Sequence, residues 1–128
     1  MNEYLIIQED QNYGFRFRIF NGEINLCSLL KYKTEEETEK AIHNLKKIII
    51  QAKTEDHTIS NYIVRKDPKF VIQKETNDKG EQVYYYLITD ESGTEIAKSK
   101  EYQKFRNCCN GILFLKENSE EASISKDK

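Results

Sequence analysis

Long apolar runs are missing from this chain. The longest, Ile48-Ile49-Ile50, falls far short of the ~18 residues a membrane-spanning helix needs. The N-terminus also lacks the basic segment and apolar core of a signal peptide, so a cytoplasmic protein with no membrane contact is expected. Histidine is scarce: His43 and His57 are the only two, and neither has a sequence-local partner that would make it the base of a nucleophilic mechanism. No phosphate loop, zinc-protease motif or dinucleotide fingerprint is present. The three cysteines, Cys27, Cys108 and Cys109, are an odd number without the two-residue gap of a thiolate metal site, so reduced thiols and no metal are expected. No cofactor and no catalytic residue is expected either, and the chain is read as not an enzyme.

A surplus of either charge is missing too. Twenty basic residues against 22 acidic ones leave a net charge of −2, which gives no global attraction to a phosphate backbone. Within those limits, 128 residues with 38% hydrophobic and 33% charged side chains suit one domain, able to bury roughly two-thirds of its unfolded surface.

What is present is a pattern that occurs twice. Phe15-Arg16-Phe17-Arg18-Ile19 is followed by Gly22, Glu23, Ile24, Ser28, Tyr32 and a helix-period run through Ala41 and Ile42 to Leu45. Tyr84-Tyr85-Tyr86-Leu87-Ile88 is followed by Gly93, Glu95, Ile96, Ser99, Tyr102 and a run through Gly111 and Ile112 to Leu115. Equivalents lie 69 residues apart at Phe15/Tyr84, 71 at Gly22/Gly93 and Ser28/Ser99, and 70 at Ile42/Ile112. So short a unit buries its apolar face against its copy.

Each copy has the local signals of strands followed by a helix. Tyr4-Leu5-Ile6-Ile7-Gln8 is a strand, Glu9-Asp10-Gln11-Asn12 a turn, and Phe15 to Ile19 alternates strictly. Asn21-Gly22 suits a tight hairpin into Glu23-Ile24-Asn25-Leu26-Cys27. Thr34 and Glu37 form a capping box, and Thr38, Ala41, Ile42, Leu45, Ile48 and Ile49 make the helix stripe. Thr58-Ile59-Ser60-Asn61-Tyr62-Ile63-Val64 is read as the strand that ends copy one. Copy two starts at Phe70-Val71-Ile72-Gln73-Lys74, turns at Asn77-Asp78-Lys79-Gly80 and Ser92-Gly93, and has a helix over about 103–116 with Phe105, Cys108, Cys109, Ile112 and Leu115 inward. The expected layout is copy one over 3–50, a linker with a short strand over 51–69, copy two over 70–117 and a flexible polar tail over 118–128.

Tyr84, Tyr86, Gly93, Glu95, Ile96, Ser99, Tyr102 and the Cys108-x-Asn110-Gly111-Ile112 helix together resemble the YegP-like family of small bacterial domains, with a degraded copy at Phe15, Phe17, Gly22, Glu23, Ile24, Ser28, Tyr32, Ala41 and Ile42. The resemblance implies an α+β fold in which tandem β-β-β-α-β units share one mostly antiparallel sheet, pseudo-twofold symmetric, with two helices on one face and the last strands exchanged. It carries no biochemical activity.

Several residues invite a functional role. Gly111 costs about 1 kcal/mol in mid-helix relative to alanine, which points to close approach of helix to sheet. Cys108, equivalent to Thr38, reads as core, and Cys109 as partly exposed. Ser28 and Ser99 read as hydroxyls that satisfy backbone at the strand-to-helix corner. The surviving lead is the sheet face away from the helices, where alternation places Arg16, Arg18, Tyr85 and Leu87. The expected function is a non-catalytic protein-interaction module, monomeric, using that face or a strand edge. The alternative is an accessory nucleic-acid-binding domain using the Arg16/Arg18 face.

Overall fold

The computed structural model describes residues 3–10, 14–20, 23–58 and 67–127. Its elements are β1 (Glu3–Asp10), β2 (Gly14–Phe20), β3 (Ile24–Ser28), α1 (Glu35–Gln51), β4 (Lys53–Asp56), β5 (Lys69–Thr76), β6 (Gln82–Thr89), β7 (Glu95–Ser99), α2 (Phe105–Asn118) and β8 (Ser123–Asp127). All eight strands join one α+β sheet in the order β4-β5-β6-β7-β3-β2-β1-β8. Five of its pairings are antiparallel, and only β4 with β5 and β8 with β1 are parallel. Each strand that follows a helix therefore lies beside the first strand of the other half.

Local chemistry sets these elements. The Thr34 hydroxyl accepts the Glu37 N–H at 3.0 Å, while the Glu37 carboxylate reaches back to the Lys33 N–H at 3.1 Å, so both side chains close the helix start. Gly80 and Gly93 take φ of 79° and 81° in the two turns of the second half, where an Asn77 or Asp90 side chain accepts two backbone N–H groups. The proposed Asn21-Gly22 hairpin and the turn residues Gln11 and Asn12 lie outside the described residues.

The helices share one core. Thr38, Ile42, Leu45, Ile48 and Ile49 of α1 and Cys108, Ile112 and Leu115 of α2 are buried. They pack with Phe17, Ile19, Phe70, Ile72, Tyr86 and Ile88, which are the inward positions of β2, β5 and β6. Helix α1 touches β1 and β2 and also β5 of the other half, so the core is continuous. Phe105, expected inward, is 38% exposed, its ring in an edge-to-face contact with Tyr84 at a centroid separation of 6.0 Å.

Two expectations about strands need correction. The strand that ends the first half is Lys53–Asp56, not 58–64, of which residues 59–64 lie outside the described part. Ala52 turns the chain into extended backbone directly after α1, and the polar Lys-Thr-Glu-Asp run becomes a strand because β5 offers it a parallel partner. Its charges also suit an edge strand, which must discourage further pairing. The expected polar tail likewise contains β8, paired with β1 from Glu3↔Ser123 to Ile7↔Asp127. Ala122 is buried and Ile124 packs on the core, while the Ala122 carbonyl accepts the Lys46 ammonium at 2.6 Å, so these few contacts outweigh a polar composition.

Candidate functional site

The outer face of the sheet is assembled by register. Arg18 is partnered with Cys27, Cys27 with Lys98, Lys98 with Leu87 and Leu87 with Val71. Partners across a ladder point to the same side, so Arg18 and Leu87 belong to one cross-strand row, about 14 Å apart over three ~4.8 Å strand spacings. Arg16 and Tyr85 lie two residues along their strands and share the face.

Exposure divides that face. Arg16, Arg18, Cys27, Lys98 and Tyr85 are half-buried. Leu87 is only 6% exposed and its partner Val71 only 4%, so Leu87, expected on the open face, offers no contact surface. Two apolar side chains set opposite each other gain by leaving water, and this pair has done so on the side away from the helices. The accessible part of the face has three cations and one aromatic ring, with Cys27 among them and the exposed Glu75 alongside. Lys98 Nζ stands 4.5 Å from the centroid of the Tyr85 ring, and burial, then the charges of Glu75 and Glu95, push the Tyr85 phenol up.

The serines act on the backbone. Ser28 Oγ accepts the buried Phe17 N–H at 3.2 Å and donates to the Leu30 carbonyl at 3.1 Å. Ser99 Oγ accepts the Tyr86 N–H at 2.9 Å and donates to the Lys100 carbonyl at 2.8 Å. At both corners the chain leaves the ladder and returns to it through paired bonds, Phe15 with Tyr32 and Tyr84 with Tyr102. The hydroxyl replaces the acceptor that the departing strand removes.

The thiols of Cys108 and Cys109 are held protonated. Burial, then Cys109, pushes Cys108 up to about 12, and burial, then Asp56, raises Cys109. All three cysteines are unbonded to one another. That environment opposes a thiolate nucleophile.

His57 does have a local partner, two residues away. Its Nε2 lies 2.8 Å from Glu55 Oε1, and Lys69 Nζ lies 3.1 Å from Glu55 Oε2 and 3.8 Å from Asp67 Oδ1. Burial alone would raise the Glu55 carboxyl, but bonds from His57 and Lys69, and then their charges, hold it below the usual carboxylate range. The Lys69 ammonium, 7% exposed, is thereby compensated. Among the described residues, no cluster of three His, Cys, Asp or Glu side chains is placed to hold a metal.

A cleft of about 380 Å³ on the helix side is the feature that reading the sequence missed. Ile19, Tyr86 and Leu115 form its floor, Tyr102 and Gly111 a wall, and Glu23, Lys100, Asn110 and Phe114 its mouth. The Lys100 ammonium pairs with the Glu23 carboxylate and sits 5.4 Å from the centroid of the Tyr102 ring. The Tyr102 phenol is raised to about 12 by burial, then by Cys108 and Glu23. A β-carbon on Gly111 would lie 2.8 Å from Tyr102 Cζ and closer still to the hydroxyl. The close approach expected at Gly111 is thus made by the Tyr102 ring rather than by the sheet backbone. The only advance signal was the position of Tyr102, Asn110 and Gly111 in the motif that suggested the fold.

The chain has the YegP fold. Its structure resembles the solution NMR structure of the E. coli protein yegP, described as of unknown function, with a TM-score of 0.66 and 19% identity over 98% of this chain and 92% of that one. It also resembles a UPF0339 protein from Shewanella oneidensis, with a TM-score of 0.64 and 19% identity over 98% of this chain and 90% of that one. No family model and no curated protein matches the sequence. Among the described residues no helix is long and apolar enough to cross a membrane.

Proposed function

We propose that this chain is a non-catalytic, monomeric, cytoplasmic binding domain whose outer sheet face takes a protein partner rich in acidic side chains. The observation that carries the reading is the placement of Arg16, Arg18 and Lys98 on one face of three hydrogen-bonded strands with Tyr85 beside them. Arginine and tyrosine are the residue types enriched at protein interfaces, and three cations with an aromatic neighbour complement carboxylates. The sheet edges suit a partner strand less well. β4 has four residues of mixed charge, and β8 has five, also polar. Nucleic acid is disfavoured because Lys98 occupies a face of the Tyr85 ring on which a base would stack. Three free thiols suit a reducing cytoplasm, and a sheet in which the halves exchange strands suits a monomer.

Crosslinking of the purified chain in its native extract, with a photoreactive group at position 85, tests the reading. A discrete protein adduct that Arg16→Glu with Arg18→Glu removes is expected. Adducts confined to nucleic acid, or a protein adduct indifferent to the double charge reversal, would overturn it. A light-scattering mass above one chain would overturn the monomer.

A further inference from the structure

We propose that the helix-side cleft binds a free aromatic α-amino acid. Its volume, about 380 Å³, lies at the small end of the roughly 300–1,000 Å³ typical of ligand sites, so the occupant is a single compact molecule. The floor is apolar, built from the buried Tyr86 and Leu115, and Phe114 stands at the mouth with 43% of its surface exposed. An aromatic body fits between these groups and the Tyr102 ring, edge or face on.

The mouth determines the head group. It carries one cation and one anion, Lys100 and Glu23, paired with each other. An entering monoanion would take Lys100 and leave Glu23 facing a second carboxylate. A monocation would strand Lys100 in the same way. A zwitterion replaces the pair charge for charge, with its carboxylate on Lys100 and its ammonium on Glu23, and the body goes below. A residue within a peptide lacks both charges on one carbon, so the free amino acid is the class that fits.

The two partners differ in freedom. Lys100 is fixed at its backbone, where its N–H donates to the Asn25 carbonyl at 2.9 Å and its carbonyl accepts from Ser99. The Glu23 side chain is 65% exposed, so it can swing aside to admit a ligand and return to its ammonium. Asn110, exposed on α2, adds a neutral amide at the same rim.

The test is an NMR titration of the isotopically labelled full chain with L-phenylalanine, 3-phenylpropionate and 2-phenylethylamine. Saturable shifts centred on Lys100, Asn110 and Gly111 are expected with phenylalanine, and binding of each singly charged analogue should be weaker by about tenfold or more. Lys100→Gln should abolish the advantage of phenylalanine over phenylethylamine, and Glu23→Gln its advantage over phenylpropionate. No saturable shift with phenylalanine, equal binding of all three compounds, or discrimination unchanged in both variants would overturn the assignment. Both substitutions lie at the rim, so unchanged amide spectra elsewhere exclude misfolding as the cause.

Discussion

Gly111→Ala should destabilise this protein although it repairs a helix, and the sign should depend on residue 102. In the interior of α2 an alanine gains about 1 kcal/mol over glycine from backbone entropy. Against that gain, the new β-carbon would lie 2.8 Å from Tyr102 Cζ and 3.4 Å from Cε1, with the hydroxyl nearer than either. The ring cannot simply swing away. Tyr102 is tied at its backbone to Tyr84 by two 2.7 Å bonds, and its ring stacks on buried Tyr86 with centroids 6.5 Å apart and planes 22° from parallel, much as Tyr32 does on Phe17. Overpacking of this kind costs about 1–3 kcal/mol, so a net loss of about 1 kcal/mol is expected. Removing the crowding atoms in steps should reverse it. In Tyr102→Phe the hydroxyl is gone but Cζ still intrudes, and the loss should shrink toward zero. In Tyr102→Leu all three crowding atoms are gone, and Gly111→Ala should stabilise by up to about 1 kcal/mol. Urea denaturation of the six proteins, read as midpoint and slope, gives each free energy. The same effect of Gly111→Ala in all three backgrounds would refute the argument.

Other perturbations probe the corners, the terminal strand and the buried phenol. Ser99→Ala leaves the Tyr86 N–H without its 2.9 Å acceptor in a buried setting and should cost about 1–3 kcal/mol, with Ser28→Ala behaving alike at Phe17; equality with wild type in urea denaturation would contradict the backbone role of the hydroxyls. Deleting residues 120–128 removes β8 from the parallel ladder with β1 and should cost on the order of 2–4 kcal/mol at about 1 kcal/mol or less per bond. It should also bare the β1 edge, so concentration-dependent association is expected by light scattering, and a truncated chain of unchanged stability would show β8 to be dispensable. Tyr102 keeps its proton to about pH 12 when folded, against 10.0 ordinarily. Its contribution to stability is therefore complete below about pH 10 and is lost as pH rises through about 12, because the unfolded chain releases the proton first. Melting temperature should fall over that window less steeply in Tyr102→Phe than in wild type, and identical slopes would count against the raised phenol.

The fold was legible where one kind of signal dominated. The alternation of Phe15, Phe17 and Ile19 against Arg16 and Arg18, the capping residues Thr34 and Glu37, and the stripe from Thr38 to Ile49 each point one way, and each element formed. Strands made by pairing alone were not legible. Lys53–Asp56 and Ser123–Asp127 have little β-forming character, and they are strands because β5 and β1 present unpaired backbone to them. The run 58–64 has the β-branched residues that Lys53–Asp56 lacks, so sequence alone favours it over the strand that an available neighbour creates.

The cleft is not legible in the sequence for a different reason: its residues come from both halves of the chain. The mouth of the cleft takes Glu23 from one half and Lys100 from the other, 77 residues away. The β3–β7 pairing brings them together, because Leu26↔Ser99 and the Lys100 N–H bond to Asn25 place the start of one strand against the end of the other. The copies also differ where the wall forms. Glycine at 111 lets the Tyr102 ring lie against α2, whereas the aligned position of α1 holds Ala41. The cost of a mid-helix glycine thus has its return in a ring position that shapes one side of the cleft. The cleft thus depends on one small residue of α2 and on a charge pair drawn from both halves of the sheet.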